Sequence, residues 1–472
     1  MSARFLDKIN EFLGLIPTEG QAELFHKLEG FMRDREGNPM FVLSGYAGTG
    51  KTSALGAFVR SLLHFKVKTK LMAPTGRAAK VLAQTAGIPA STIHRQIYWQ
   101  KSKTEFGSGL SLRPNLHKNT VFIVDEASMI GEVSMGKDGT MYGRDLLNDL
   151  ISYVYAGDGC KLILLGDEGQ LPPVGCDHSP AMDVKYLNFN YPQLKITKHK
   201  LTKVLRQEVN SSILYNATLL RETEWVDYPR FDLLTGDQDL NRITGAELQE
   251  ELERSYDQYG QEETLVIVRS NKQANEYNRQ IRGRLLWYEE KLCRGDVLMV
   301  VKNNYYWQDD EGSAGFIANG EMIELRRILK TENYYGFEFV TVEIRFSDRP
   351  ELGDFEVVLH TEALYVEGPN LPRSRIKELF YALEEDYKHL RRKKERYEAI
   401  LKDKYFNALQ VKYAYAVTCH KSQGGQWKSV FIDQGYLNDE MLGPDYYRWL
   451  YTALTRGTDQ VYLVNFKDEF FT

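Results

Sequence analysis

Residues 41–52 read FVLSGYAGTGKT. The apolar run Phe41, Val42, Leu43 has the character of a buried strand. It breaks into a turn matching G-x-x-x-x-G-K-[ST] at Gly45, Gly50, Lys51 and Thr52. Such a loop curls backbone N–H groups around phosphate oxygens. Gly45, Gly48 and Gly50 can take dihedrals closed to bulkier residues, and Ala47 and Thr49 complete the cradle. Residues 53–63 suit a helix whose positive end faces the same phosphates. Lys51 supplies charge to the β- and γ-phosphates, and the Thr52 hydroxyl is a ligand for Mg²⁺. A chance glycine-rich turn would not come with this strand before it and this helix after it, so the segment is a nucleoside triphosphate site.

The chain has 472 residues, enough for two to four structural units. With 43% hydrophobic and 26% charged residues it has the composition of a soluble globular protein. The formal charge is −5, so no global field draws in polyanions, and nucleic-acid binding requires a local groove. Cys160, Cys176, Cys293 and Cys419 show no C-x-x-C pair and no metal spacing, which fits reduced thiols in a cytosolic setting. The first residues, MSARFLDKINEFLGL, are amphipathic and unlike a signal peptide, and no apolar run approaches the ~20 residues of a membrane span.

Outward from the loop, the rhythm of strand, polar turn and helix recurs, as in a parallel α/β sheet. Upstream, Thr18 is a candidate N-cap for a helix carrying Gln21. That amide can pair with the donor and the acceptor of an adenine edge, although a surface glutamine fits equally well. Downstream, Lys70, Leu71, Met72 and Ala73 run into Pro74, Thr75, Gly76 and Arg77, and Thr92 and His94 hold a similar strand-end position. Ligands bind at such carboxyl ends, but lone threonines and histidines are usually structural. Residues 121–124 form an apolar strand ending in Asp125 and Glu126. Asp125 would hold Mg²⁺, and Glu126 would orient and deprotonate the attacking water, unless the pair merely caps a helix. Residues 162–165 end in GDEGQLPP, which places Gln170 where a side chain can touch the γ-phosphate.

The set GYAGTGKT, APTGRAA, STIH, VFIVDEAS and LLGDEGQLPPV, in this order, resembles superfamily 1 DNA helicases of the RecD/Dda/Pif-like branch. The resemblance implies two RecA-like parallel-sheet P-loop domains with an inserted SH3-like β-barrel and a helical arm. ATP is then the substrate, Mg²⁺ the cofactor and 5′→3′ the direction of travel. By position in KLTKVLRQ and YTALTRG, Arg206 and Arg456 are the implied arginine fingers. DNA contacts are implied at Pro74, Thr75, Arg77, Thr92 and His94, and at Thr418, His420, Lys421 and Ser422 of TCHKSQG. Residues 98–117 hold the place of a strand-separating pin, with Trp99 and Phe106 able to stack on bases or simply to pack within a loop.

The expected domains are 1–197, then 198–290 together with 411–472, with 291–410 as the insert. Residues 374–410 contain neither Gly nor Pro and keep helical spacing, which reads as a helical arm, and its basic run 388–394 is either a solvated face, or a DNA contact or support for a strand-separating element. The implied partners are single-stranded and fork DNA and other replication, repair or recombination proteins, acting on a monomeric motor in a bacterial or phage-like cytoplasm. Two alternatives share the same ATP site: an RNA helicase or RNA-stimulated NTPase, and a nucleotide-dependent translocase or clamp that does not unwind.

Overall fold

The structure, a computed structural model, describes residues 2–100, 110–131, 134–135, 141–142, 145–204, 211–222, 228–233, 239–304, 306–307, 317–347 and 349–471. Phe106 and Arg206 lie outside the described residues.

Strands rich in Val, Ile, Leu and Phe are buried on both faces, which is the habit of parallel sheets covered by helices. Among the described residues the first sheet comprises β1 (Asn38–Gly45), β2 (Lys68–Ala73), β3 (Ala90–Thr92), β4 (Thr120–Val124), β5 (Lys161–Gly166) and β6 (Leu194–Leu201). All pairings are parallel, in the order β6-β1-β5-β4-β2-β3. Its helices are α1 (Ser2–Leu13), α2 (Glu19–Arg33), α3 (Lys51–His64), α4 (Gly76–Ala86), α5 (Ile93–Ile97) and α6 (Leu146–Tyr155). The expected boundary at 197 falls inside β6, which stays paired with β1 as far as Gly45↔Leu201. This edge strand, LKITKHKL, is only partly buried, and its lysines hide it from a search for apolar runs.

A second parallel sheet begins with β7 (Leu240–Ile243) and β8 (Thr264–Val268), alongside helices α7 (Ser212–Glu222), α8 (Leu248–Tyr259) and α9 (Asn271–Gln280). The chain then leaves to form an antiparallel sheet from β9 (Val297–Val300), β10 (Met322–Tyr334), β11 (Phe337–Phe346), β12 (Asp354–His360) and β13 (Val411–Tyr413), in the order β12-β11-β10-β9-β13. This sheet closes on itself. Leu409, just before β13, donates its N–H to Val358 (2.7 Å) and accepts from the N–H of His360 (2.9 Å). The insert is thus the expected small barrel, with its last strand extending beyond residue 410.

The helical arm consists of two helices, α10 (Arg373–Glu384) and α11 (Lys393–Leu401), with a break between them. The break follows from tertiary contacts: Asp386 accepts hydrogen bonds from Tyr334 and Tyr335 at the β10–β11 turn, and Tyr387 donates to Asp403 (2.9 Å). Leu379, Phe380, Leu383 and Ile400 pack on Phe337, Phe339 and Val358 of the barrel.

The chain returns for β14 (Ala416–Thr418), α12 (Cys419–Ser422), β15 (Trp427–Asp433), α13 (Pro444–Leu454) and β16 (Gly457–Val464). These complete the second sheet, ordered β7-β16-β15-β8-β14. One hydrophobic core joins this sheet to the barrel, and Leu171 of the first lobe is buried in it. Among the described residues no helix is long and apolar enough to cross a membrane.

Candidate nucleotide and nucleic-acid site

The phosphate loop spans the step from β1 to α3. Gly48 and Gly50 take positive φ (72° and 76°), which only glycine adopts without strain. A Cβ at Gly45 would lie 3.0 Å from both Lys51 Cγ and Thr49 Oγ1, so a side chain there would require these neighbours to give by a few tenths of an ångström. Thr49 Oγ1 donates to the Tyr46 carbonyl (2.7 Å), and Lys51 Nζ to the carbonyls of Gly45 and Tyr46. Lys51 therefore lies along the loop it would serve.

Asp125 and Glu126 stand at the end of β4. The Asp125 carboxylate accepts the N–H of Glu126 (2.9 Å), and Glu126 has a left-handed backbone (φ 53°, ψ 34°). Burial raises the pKa of both acids. Lys51 offsets this for each, Arg456 offsets it for Glu126, and the nearby Asp125 and Asp167 push Glu126 further up. Residues from three first-lobe strand ends and from the turn after one second-lobe helix thus share one electrostatic environment. Gln170 is buried (6% exposed), and its Oε1 has no hydrogen-bond partner among the described residues.

The second lobe meets this site through α13 and the turn after it. Tyr451, itself buried, accepts the Ala47 N–H of the phosphate loop (2.9 Å) and donates to Asp167 Oδ2 (2.7 Å). Arg456 is buried in its own lobe, where Nη1 donates to Gly425 O (3.0 Å) and Nε to Thr452 O (3.0 Å). Tyr46 lies under two cations, Lys200 Nζ at 4.6 Å and the Arg221 guanidinium at 4.3 Å from its ring centre. Tyr451, Arg221 and Gln423 (below) were missed by sequence reasoning. Tyr451 and Gln423 sit inside quoted motifs but carry no signal of partner, and nothing in the sequence marks Arg221.

The candidate nucleic-acid residues divide. Thr75 caps α4, and a Cβ on Gly424 would lie 2.9 Å from its hydroxyl, so the two loops touch across the lobes. Pro74 precedes it, half-buried. Arg77 stacks on Trp427 (4.1 Å) and donates to the Gln426 carbonyl, an inter-lobe contact rather than an open cation. The Thr92 hydroxyl is used as the cap of α5, accepting the Arg95 N–H (3.3 Å). His94 packs against Tyr98 (ring centres 5.5 Å apart), and burial pushes its imidazole down to about 4, so it is neutral at pH 7. Ser422 is fully buried and donates to Cys419 O (2.8 Å), which removes it as a surface phosphate contact. Thr418 makes no capping bond, and Lys421, partly exposed, has its amine pushed down to about 8 by desolvation. Burial also lowers His420.

The Gln21 side chain is turned back into a capping box, its amide oxygen accepting the Thr18 N–H (3.0 Å), which ties it to the start of α2. At the expected pin, residues Tyr98–Gln100 pair antiparallel with Leu110–Leu112, and Trp99 is 42% exposed opposite Ser111. Three cations of the arm's basic run lie beside acids of the arm, Lys388 by Glu385 (2.5 Å), Arg392 by Glu395 (3.4 Å) and Lys394 by Glu398 (4.0 Å).

Residues 19–225 match the family model for an AAA domain, and residues 413–464 match the UvrD-like helicase C-terminal domain. The ATP-dependent DNA helicase dda of Enterobacteria phage T4 is 24% identical over 67% of this chain and 68% of its own length. The ATP-dependent RecD2 DNA helicase of Deinococcus radiodurans is 28% identical over 43% of the chain, a region that spans 24% of that relative. These similarities are to superfamily 1 helicases, the Dda and RecD2 enzymes among them. A Pif1 helicase structure from Bacteroides, bound to ADP-AlF3 and single-stranded DNA, aligns with 97% of this chain and 95% of its own, at 17% identity and a TM-score of 0.49.

Proposed function

We propose that this helicase hydrolyses ATP to travel 5′→3′ along single-stranded DNA and to separate duplex ahead of it. The carrying observation is that Tyr451 of the second lobe bonds both the Ala47 N–H of the phosphate loop and Asp167, beside Glu126, whose charged form both Arg456 and Lys51 favour. Hydrolysis at such a site depends on the two lobes being closed together. Glu126 is the base for the attacking water, Lys51 and the loop N–H groups hold the phosphates, and Gln170 senses the γ-phosphate. Arg456, together with Arg206, stabilises charge in the transition state.

The donor set suits Mg²⁺, since Thr52 and Asp125 offer hard oxygen atoms. No cluster of three or more His, Cys, Asp or Glu among the described residues offers a dedicated all-protein cage. When bound with ATP, Mg²⁺ supplies Lewis-acid stabilisation of the phosphates. Single-stranded DNA is assigned to the surface around Thr75, Thr418, His420 and Lys421, and a fork to the exposed Trp99 at the base of the expected pin. A cytoplasmic, monomeric motor suits this reading.

The test is unwinding of partial duplexes carrying 5′ or 3′ single-stranded tails, in DNA and in RNA. Activity confined to 5′-tailed DNA is expected, and Lys51→Ala should abolish it. Activity on 3′ tails alone overturns the direction, activity on RNA overturns the substrate, and ATPase without unwinding favours a translocating clamp.

A further inference from the structure

The segment that carries Gln170 is bonded to the other lobe at both of its ends, while Glu168 stays tied to Lys198 and Lys200 of its own lobe. Asp167 accepts from Tyr451, and a Cβ on Gly169 would lie 3.1 Å from the Tyr451 ring. Both polar atoms of the Leu171 backbone are also taken from across the cleft. Its N–H donates to Thr452 Oγ1 (2.8 Å), and its carbonyl accepts from Gln423 Nε2 (2.7 Å). The Leu171 side chain is buried in the core of the second lobe. Gln423 is itself buried, and it directly follows α12 and precedes Gly424, whose left-handed backbone (φ 73°) abuts Thr75.

One peptide link and one hydrogen bond therefore separate the side chain aimed at the γ-phosphate from the loop aimed at DNA. We propose that Thr452 and Gln423 are positioning residues that grip the Leu171 backbone from both sides and so transmit nucleotide state at Gln170 to the DNA-facing side chains of residues 418–421, which Gln423 itself does not join. The proposal rests on the motor reading above and names the bonds through which its two ligands communicate. A buried residue whose backbone N–H and C=O are both satisfied by one body moves with that body, because leaving either group unpaired costs a full desolvation penalty. A shift of Gln170 toward phosphate must therefore drag Gln423, or break two buried hydrogen bonds. By linkage, DNA at the loop must change nucleotide affinity by the same factor as nucleotide changes DNA affinity.

The experiment measures binding of a fluorescein-labelled oligothymidylate with and without the β,γ-imido analogue of ATP, and the ATPase rate with and without the oligonucleotide. Thr452→Val and Gln423→Glu remove the hydroxyl acceptor and the amide donor while nearly keeping shape. Thr452→Ser keeps the hydroxyl. In the wild type the coupling factor is expected within the usual range of about 5–150. In Thr452→Val and Gln423→Glu it should fall to about 1–2, with each affinity measured alone within about threefold of wild type and basal ATPase unchanged.

Thr452→Ser should restore the coupling. The double variant should be little worse than either single one, because both act on one residue's backbone. Intact coupling in both single variants overturns the proposal, as does a Thr452→Ser variant that behaves like Thr452→Val. Loss of either affinity on its own overturns it in favour of a direct binding role. A wild-type chain that binds both ligands without coupling would overturn the motor reading itself.

Discussion

At Glu126 a side chain that must ionise is held where ionisation is costly, on a backbone (φ 53°) that a non-glycine residue adopts only at about 1–3 kcal/mol. Burial raises its pKa above the ordinary 4.5, and the base works only when deprotonated. The acidic limb of the kcat profile should therefore lie above pH 4.5, with the rate rising as pH rises through it. Glu126→Gln should lower kcat by ~10²–10⁴ and remove that limb, while the affinity for an ATP analogue stays within a few-fold. Steady-state phosphate release across pH checks both. Lys421 shows the opposite sign. Its amine, pushed down to about 8, is charged below that pH and neutral above it, so affinity for single-stranded DNA should weaken as pH climbs through about 8. Lys421→Arg keeps its charge throughout and should flatten this dependence in a fluorescence-anisotropy titration.

Among the elements, the contact between α4 and the turn before β15 is the most exacting. A Cβ on Gly425 would lie 2.4 Å from Trp427 Cη2 and 3.0 Å from Arg77 Cδ. Gly425→Ala should push the ring aside, break the Arg77 stack and cost about 1–3 kcal/mol in urea denaturation. Gly30, inside α2 with nothing within 4 Å of a built Cβ, should give the reverse result, with Gly30→Ala gaining about 0.5–1 kcal/mol. Elements of this kind differ in how visibly the sequence announces them. The loop of residues 45–52, the carboxylates after β4 and the short buried strands were legible because their chemistry is local. The extent of β6 was not, since an edge strand need not be apolar. Nor was the break between α10 and α11, which is set by tyrosines far away in sequence. Gln21, Thr92 and Ser422 have the right chemistry for binding, but their polar groups are used in helix caps and turns, a choice made by neighbouring backbone geometry.

For the whole molecule, the proposed nucleotide site draws on both lobes, since Tyr451 of the second reaches Ala47 and Asp167 of the first. Arg456→Ala should leave nucleotide binding to the first-lobe loop largely intact while lowering kcat by ~10³–10⁵, a split visible by comparing analogue affinity with turnover. The same division is written into the order of strands. All strands of the first sheet lie between residues 38 and 201, whereas in the second sheet β8 pairs with β14 across the whole barrel, and β16 is sandwiched between β7 and β15. Long-range pairings of this kind form slowly. On the ribosome, the first lobe can fold while the second still waits for residues 457–464. Until they emerge, β15 offers a bare edge and β7 has no neighbour in its sheet, which is the condition that invites edge-to-edge aggregation. The vulnerable interval in the life of this protein is thus its synthesis, and a premature stop shortly before β16 would release a chain with one finished lobe and one adhesive one.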